Sequence, residues 1–163
     1  MNNRLEDTSI ENVLLDLQIL INASVSKVWA HWIDMASWVT SHRIEHVSGE
    51  IGTVGLISRA SFALAGDMGY PAPHYHYNQV LKVVPEQQYT FKTYSEAGGS
   101  YGLRMLGFDD ARFIDAEEKT KVTFRFYGEY KTEIPRDQSK PLSGDGNHMM
   151  RNLENLKRIV EGR

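Results

Sequence analysis

Apolar and polar residues alternate along most of the chain, and this alternation changes to helical spacing near each end. A period of two places successive side chains on opposite faces of a strand, so it is typical of a strand with one buried face. The first such stretch runs from Val13 to Ile21, where every odd position is apolar and Asp16 and Gln18 lie between. We therefore predict that the fold begins with a strand after a flexible segment, residues 1–11.

Two stretches have the spacing of amphipathic helices. After Ser24, a predicted N-cap, one helical face collects four apolar residues: Val25, Val28, Trp29 and Trp32. Asp34 is predicted to cap a second short helical turn that carries Trp38. Near the end of the chain Met149, Leu153, Leu156 and Val160 share one stripe. A helix of about three turns is marginal alone in water, so this stripe requires an apolar partner.

The alternation between these helices predicts six further strands. Their predicted bounds are Ile44–Ser48, Leu56–Leu64, Tyr75–Val84, Tyr89–Thr93, Leu103–Ile114 and Val122–Tyr130. The Gly/Pro-rich residues 66–73 form a loop that is long for a hairpin, which is typical of functional loops. In the strand that follows, Tyr75, Tyr77 and Gln79 are predicted to face the interior. His74, His76 and Asn78 are then predicted to face solvent.

Composition limits the classes of function. The chain has 163 residues, a net charge of −3 and no cysteine. These values favour a single domain, residues 1–163, without disulfides or thiolate metal sites, and without the basic surface that nucleic acid requires. The longest apolar run is shorter than a membrane span, and residues 1–13 lack the apolar core of a secretory signal. A soluble, cytoplasmic protein is the expectation.

Several segments resemble the START-like superfamily (SRPBCC), which includes polyketide cyclase/dehydrase-like and birch-pollen-allergen-like proteins. The segments are INASVSKVWAHWID, VSGEIGTVG, VLKVVPEQQYTFKTY and MMRNLENLKRIVEG. The resemblance covers about residues 13–162 and includes no catalytic motif. It implies the helix-grip fold: an α+β fold with a curved antiparallel sheet of about seven strands around a long C-terminal helix. Two short helices follow the first strand. An apolar cavity is expected between sheet and terminal helix.

Aromatic side chains dominate the predicted interior face, which is compatible with an ordinary core or with a ligand cavity. Four of them are tyrosines, whose hydroxyls need hydrogen-bond partners that a dry core rarely supplies. A cavity for a phenolic, polyketide or other small hydrophobic molecule meets that need better. The candidate ligand-binding residues are Trp38, Tyr75, Tyr77, Gln79, Tyr89, Phe91, Met105, Phe124, Phe126, Met149, Asn152 and Leu153.

Asp109 is the sharpest candidate for chemistry. If Leu103, Met105, Ala111 and Phe113 face inward, Asp109 does too, and a buried carboxyl has a raised pKa suited to acid–base catalysis. The alternative is a bulge at Asp109–Asp110 that turns both carboxylates to solvent. His148 and Tyr130 are the other catalytic candidates, each balanced against a surface or core role.

His74 and His76 are weak candidates for a metal site, since two histidines at i and i+2 share one strand face but need a third ligand. No nucleotide or phosphate motif is present, and we predict no cofactor. Two functions remain open. The first is a cofactor-independent cyclase, lyase or dehydratase acting on an aromatic or apolar substrate. The second is a non-catalytic carrier or sensor of a hydrophobic ligand. The oligomeric state, including a homodimer, stays open.

Overall fold

A computed structural model describes residues 13–62, 74–94, 103–132 and 147–163. Within them the chain forms seven strands and two α-helices, with a short 3-10 helix, Met35–Ser37, after the first. The strands are β1 (Val13–Ile21), β2 (Arg43–Ser48), β3 (Ile57–Phe62), β4 (His74–Val84), β5 (Gln88–Tyr94), β6 (Leu103–Asp115) and β7 (Thr120–Thr132). The helices are α1 (Val25–Trp32) and α2 (Asn147–Val160).

All seven strands join one antiparallel sheet in the order β1-β7-β6-β5-β4-β3-β2. Because β1 pairs with β7, the segment containing α1 and the 3-10 helix crosses from one edge of the sheet to the other. The apolar stripe of α2 lies in the core, with Leu153, Leu156 and Val160 fully buried. This architecture is the helix-grip fold, which confirms the predicted fold class.

Helix α1 forms as its sequence predicts. The Ser24 hydroxyl accepts a hydrogen bond from the Lys27 backbone N–H, which caps the helix. Val28 and Trp32 are fully buried, and the Trp38 indole N–H donates to the Trp32 carbonyl at 3.2 Å. Asp34 occupies the N-cap position of the 3-10 helix, as predicted, but its side chain makes no capping hydrogen bond.

The end of α2 is held against the sheet by Glu161. Its Oε1 accepts hydrogen bonds from the Asn22 backbone N–H at 2.8 Å and from Lys157 Nζ at 2.6 Å. The Lys157 ammonium, the Asn22 N–H and nearby Arg163 lower the pKa of Glu161 to about 2. Lys157 also donates to the Leu20 carbonyl on β1. These contacts attach the end of α2 to β1 and to the residue that follows it.

The predicted facing of β4 is wrong. His76, Asn78 and Val80 are buried, whereas Tyr77 and Gln79 lie on the opposite face of the strand. The cause is a register shift between Val80 and Lys82, where β4 pairs irregularly with β5. A bulge changes the phase of a strand, so the apolar face read from Val83 does not continue towards the start of β4.

Strands β6 and β7, by contrast, pair without a register shift from end to end. Asp109 therefore stays in phase with the buried Ala111 and Phe113 and faces the interior, where it is 7% exposed. The alternative of a bulge at Asp109–Asp110 is wrong. Gly107 is in the same row, and a Cβ there would meet the Phe126 ring at 2.3 Å. Glycine thus lets that ring cover the sheet beside Asp109.

Candidate functional site

An apolar pocket lies between the 3-10 helix and strands β2 to β5. Ile33 and Met35 form one wall, and Val80, Tyr89 and Phe91 form the sheet wall, where Asn78 supplies a polar group. The cavity volume is about 60 Å³. That is several times the roughly 10–15 Å³ that one water needs, but below the ~300–1,000 Å³ of a whole ligand site. The pocket therefore has the size of a subsite for one ring or branch of a ligand.

A chain of three buried polar side chains runs from this pocket across the sheet. Thr93 Oγ1 lies 3.0 Å from Asn78 Oδ1 and 2.5 Å from Asp109 Oδ2. All three residues are less than a tenth exposed. Asn78 and Thr93 face each other across β4 and β5, and Asp109 is in register with Phe91 on the same face. Asp109 is thereby connected to the pocket through two neutral side chains.

The environment of Asp109 raises its pKa to about 7. Burial is the main cause, because the charged carboxylate is disfavoured away from water, and the hydrogen bond with Thr93 opposes this in part. At neutral pH the group is poised between its acid and its base form. That is the condition in which a carboxyl best exchanges protons with a bound molecule.

Asp110 provides the contrast within the same strand. It faces the opposite side of the sheet, where its Oδ1 accepts from Gln88 Nε2 and Thr90 Oγ1, both at 2.8 Å. Its Oδ2 accepts from Arg112 Nε at 2.8 Å. A carboxylate with three donors, one of them cationic, is stabilised as an anion. Asp110 is therefore a structural group, and adjacent carboxyls have separate roles.

A second polar cluster joins the start of α2 to the segment after the 3-10 helix. Asn152, 1% exposed, accepts on Oδ1 from the Thr40 N–H at 2.9 Å and the Ser41 N–H at 3.2 Å. Its Nδ2 donates to Ser41 Oγ at 2.8 Å. Ser41 Oγ in turn lies 2.8 Å from His42 Nδ1, and the His42 ring centroid is 5.8 Å from that of His76.

Asn152, which is also a predicted ligand contact, joins α2 to the segment at Thr40 and Ser41 as a clamp. We expect Asn152→Ala to lower the free energy of unfolding by about 2–4 kcal/mol, since it removes the buried amide that accepts from the Thr40 and Ser41 N–H groups and donates to Ser41 Oγ. Urea denaturation followed by circular dichroism measures this. Arg151→Ala, at an exposed neighbouring position, is the control and should change stability by less than about 0.5 kcal/mol. Equal effects of the two substitutions would contradict the clamp.

The other predicted ligand residues separate into three groups. Tyr89 and Phe91 line the pocket; Trp38, Phe124, Phe126 and Leu153 are buried in the core, with Met149 partly buried against it. Tyr77 and Gln79 are on the outer face of the sheet, where Tyr77 stacks on Tyr94 at 5.6 Å between ring centroids. The predicted interior position of Tyr77 and Gln79 is therefore wrong. The side chains of Tyr75, Met105, Tyr130, His74 and His148, and the predicted loop 66–73, lie outside the described residues.

The alternation predicts Asn78 on the solvent face together with His74 and His76, so the link between pocket and carboxyl was not predicted from the sequence. The available signal was Val80, which lies in phase with Asn78 and which a β-branched preference for burial would have placed inside. No metal site appears: among the described ranges, no group of three or more histidine or acidic side chains is placed to hold an ion. Nor does any helix in that part of the chain have the length and apolarity to cross a membrane.

Solved structures with the same fold were found at low sequence identity. A protein from Chromobacterium violaceum is 16% identical, with 93% of this chain and 99% of that chain covered and a TM-score of 0.66. The major latex-like protein 151 from Panax ginseng is 13% identical over 90% and 95% of the two chains, with a TM-score of 0.64. The Zhui aromatase/cyclase from Streptomyces sp. R1128 is 12% identical over 91% and 93%, with a TM-score of 0.62.

No protein-family model matches the sequence, and no curated protein matches it either. At identities of 12–16% the structural likeness shows the fold alone: the chain has the helix-grip architecture. The same fold thus occurs in an aromatase/cyclase and in a latex-like protein. Function must be argued from the site.

Proposed function

We propose that the protein binds a small apolar or aromatic molecule in the pocket between the 3-10 helix and strands β2 to β5 and catalyses proton transfer on it without a redox cofactor. Asp109 is the acid–base group. The observation that carries this proposal is a carboxyl on the interior face of the sheet, linked by hydrogen bonds to Asn78, which lines a mainly apolar pocket. The occurrence of the fold in the Zhui aromatase/cyclase is compatible with it.

A buried carboxyl without a cationic partner costs stability, and such a cost is typical of functional sites. Only burial and the Thr93 hydroxyl determine the pKa of Asp109 among the described residues. Near neutral pH part of the Asp109 population is ionised. In a complex whose ligand reaches past Asn78 and Thr93, this carboxylate takes a proton from a carbon beside a carbonyl and returns it to the same or a neighbouring atom. Such steps are the ones that cyclase, lyase and dehydratase chemistry share.

Exchange of α-protons tests this chemistry without knowledge of the natural substrate. In D₂O the wild-type protein should catalyse deuterium incorporation at the α-carbon of 1-indanone, followed by proton NMR. We expect Asp109→Asn to reduce the rate at least about 100-fold, since a positioned base contributes about 10²–10⁴ in rate. Asp110→Asn, which neutralises the adjacent outward carboxyl, should retain the wild-type rate. Equal rates in wild type and Asp109→Asn would contradict the proposal.

The second candidate function is a non-catalytic carrier of the same class of ligand. It is favoured by one observation: Asn78 and Thr93 stand between Asp109 and the pocket, so a small molecule there meets mainly apolar walls. A carrier should bind 1-indanone, as detected by calorimetry, and leave its α-protons at the uncatalysed exchange rate. The two readouts together distinguish the functions.

A further inference from the structure

The hydrogen-bonded series Asn78–Thr93–Asp109 contains one more contact than the single hydroxyl hydrogen of Thr93 can supply. The Thr93 hydroxyl has one hydrogen but contacts two oxygens, Asn78 Oδ1 and Asp109 Oδ2. It can donate to only one of them at full strength. In the other contact the hydrogen must come from the residue that faces Thr93. The amide oxygen of Asn78 carries no hydrogen, so the donor has to be Asp109. The observed arrangement is complete when Asp109 is protonated: its O–H donates to Thr93, and Thr93 donates to Asn78.

The chain also has a complete arrangement in the opposite direction. When Asp109 is ionised, Thr93 donates to the carboxylate, and the Asn78 amide turns over so that its nitrogen donates to Thr93. An amide can do this in place because its oxygen and nitrogen are nearly equal in size. The protonation of Asp109 therefore decides which end of the Asn78 amide stays engaged and which end is left for the pocket.

Asn78 is the polar side chain through which the pocket meets this chain. It lines the pocket, is 6% exposed, and its nitrogen makes no hydrogen bond within the described residues. With Asp109 protonated, the amide offers the pocket N–H donors, and a ligand oxygen can accept from them. With Asp109 ionised, the amide offers a carbonyl, and a ligand N–H or O–H can donate to it.

Building on the proposed function, we propose that Asn78 selects small aromatic ligands by hydrogen-bond polarity and that Thr93 couples this selection to the proton on Asp109. A ligand with a carbonyl acceptor binds the form of the protein in which Asp109 is protonated, so the protein takes up a proton on binding. A ligand that has only a hydrogen-bond donor binds the form in which Asp109 is ionised, so the protein releases a proton on binding. Thr93 is a positioning residue in this mechanism, and Asn78 is the specificity-determining contact.

Other titratable groups face this interior and must be distinguished from Asp109. Strand β7 contributes Phe124 and Phe126, and α2 contributes Asn152 and Leu153, none of which is charged. Within the described residues, the titratable side chains of the interior and of the pocket rim are Asp34, His42, His46, His76 and Tyr89. Because these groups are titratable too, the test includes a variant that removes only the carboxyl of Asp109.

The test compares two bicyclic probes of similar size, 1-indanone, which only accepts, and indole, which only donates. Calorimetry in phosphate and in Tris reports the protons exchanged on binding. For the wild type we expect the Kd of 1-indanone to rise about tenfold per pH unit above pH 7, with proton uptake. The Kd of indole should fall as pH rises from 6 to 7, with proton release.

Variants test whether the pH dependence of ligand binding is transmitted through Thr93 and Asp109. Thr93→Val and Asp109→Asn should each remove the opposite pH dependences of the two probes, and Thr93→Ser should restore them. Thr90→Val, on the outer face of the same strand, should behave as wild type. Binding of 1-indanone with no proton uptake, or a full pH dependence in folded Thr93→Val, would overturn the relay and leave ligand binding intact. If neither probe binds the wild type, the proposed ligand class fails and the relay with it.

Discussion

Asp109→Asn should stabilise the protein increasingly as pH rises. The pKa of Asp109 is about 7 in the folded state against a model value of 3.8, so the folded state holds the proton more tightly than the unfolded chain. Stability from this group is complete below pH 4 and is lost as pH rises towards 7. At about 1.4 kcal/mol per pKa unit, the substitution should gain up to about 4 kcal/mol at pH 8 relative to pH 4.

Urea denaturation of wild type and variant at pH 4, 6 and 8 measures this difference. Comparing the two proteins at each pH removes the contribution of other groups, such as Glu161, whose lowered pKa acts in the opposite direction. Asp110→Asn is the matched control. It should show no gain at pH 8, because the substitution removes the ion pair of Asp110 with Arg112 and no unpaired buried carboxyl. A constant difference between wild type and Asp109→Asn across the three pH values would contradict the assigned burial.

Trp32→Ala should cause the second large effect, a loss of about 3–5 kcal/mol in the free energy of unfolding. Trp32 is fully buried and packs against four aromatic rings. Its ring centroid is 4.9 Å from that of Trp38 and 5.2 Å from that of Phe113, and Tyr89 and Phe124 complete the contact. Because Tyr89 lines the pocket, the cavity left by the substitution should also loosen the ligand wall.

The aromatic cluster permits a graded comparison. Trp32→Phe keeps most of the ring area and removes an indole N–H that has no hydrogen-bond partner within the described residues, so it should cost markedly less than Trp32→Ala. Trp29→Ala should also cost less, since Trp29 is only partly buried. Chemical denaturation gives all three values. A loss below about 1 kcal/mol in Trp32→Ala would show that this ring is not the centre of the core.

Strand and helix positions could be predicted because they depend on local spacing. The alternation in β7 and the apolar stripe of α2 each show which residues face the core. An amphipathic helix and an alternating sheet can bury their apolar faces together in only a few arrangements. Asp109 could be placed inside because β6 pairs regularly along its whole length, so its phase could be counted from Ala111 and Phe113.

The site itself depended on features that spacing does not record. The bulge in β4 reverses the phase between Val83 and Asn78, and bulges follow from the pairing of two strands rather than from one segment. Asn152 lies beside an apolar stripe in the sequence, yet its role comes from the backbone of Thr40 and Ser41, more than 100 residues away. Long-range hydrogen bonds of this kind become visible only in the folded chain.

Direct titration of the Asp109 carboxyl tests the central claim, that a proton-transferring group lies at the ligand site. Carbon-13 NMR of aspartate-labelled protein, with Asp109→Asn to assign the resonance, follows the carboxyl from pH 3 to 9 with and without 1-indanone. We expect a midpoint near 7 that moves upward when the ketone binds. A midpoint near 4, unchanged by ligand, would contradict both the burial of Asp109 and its role in proton transfer.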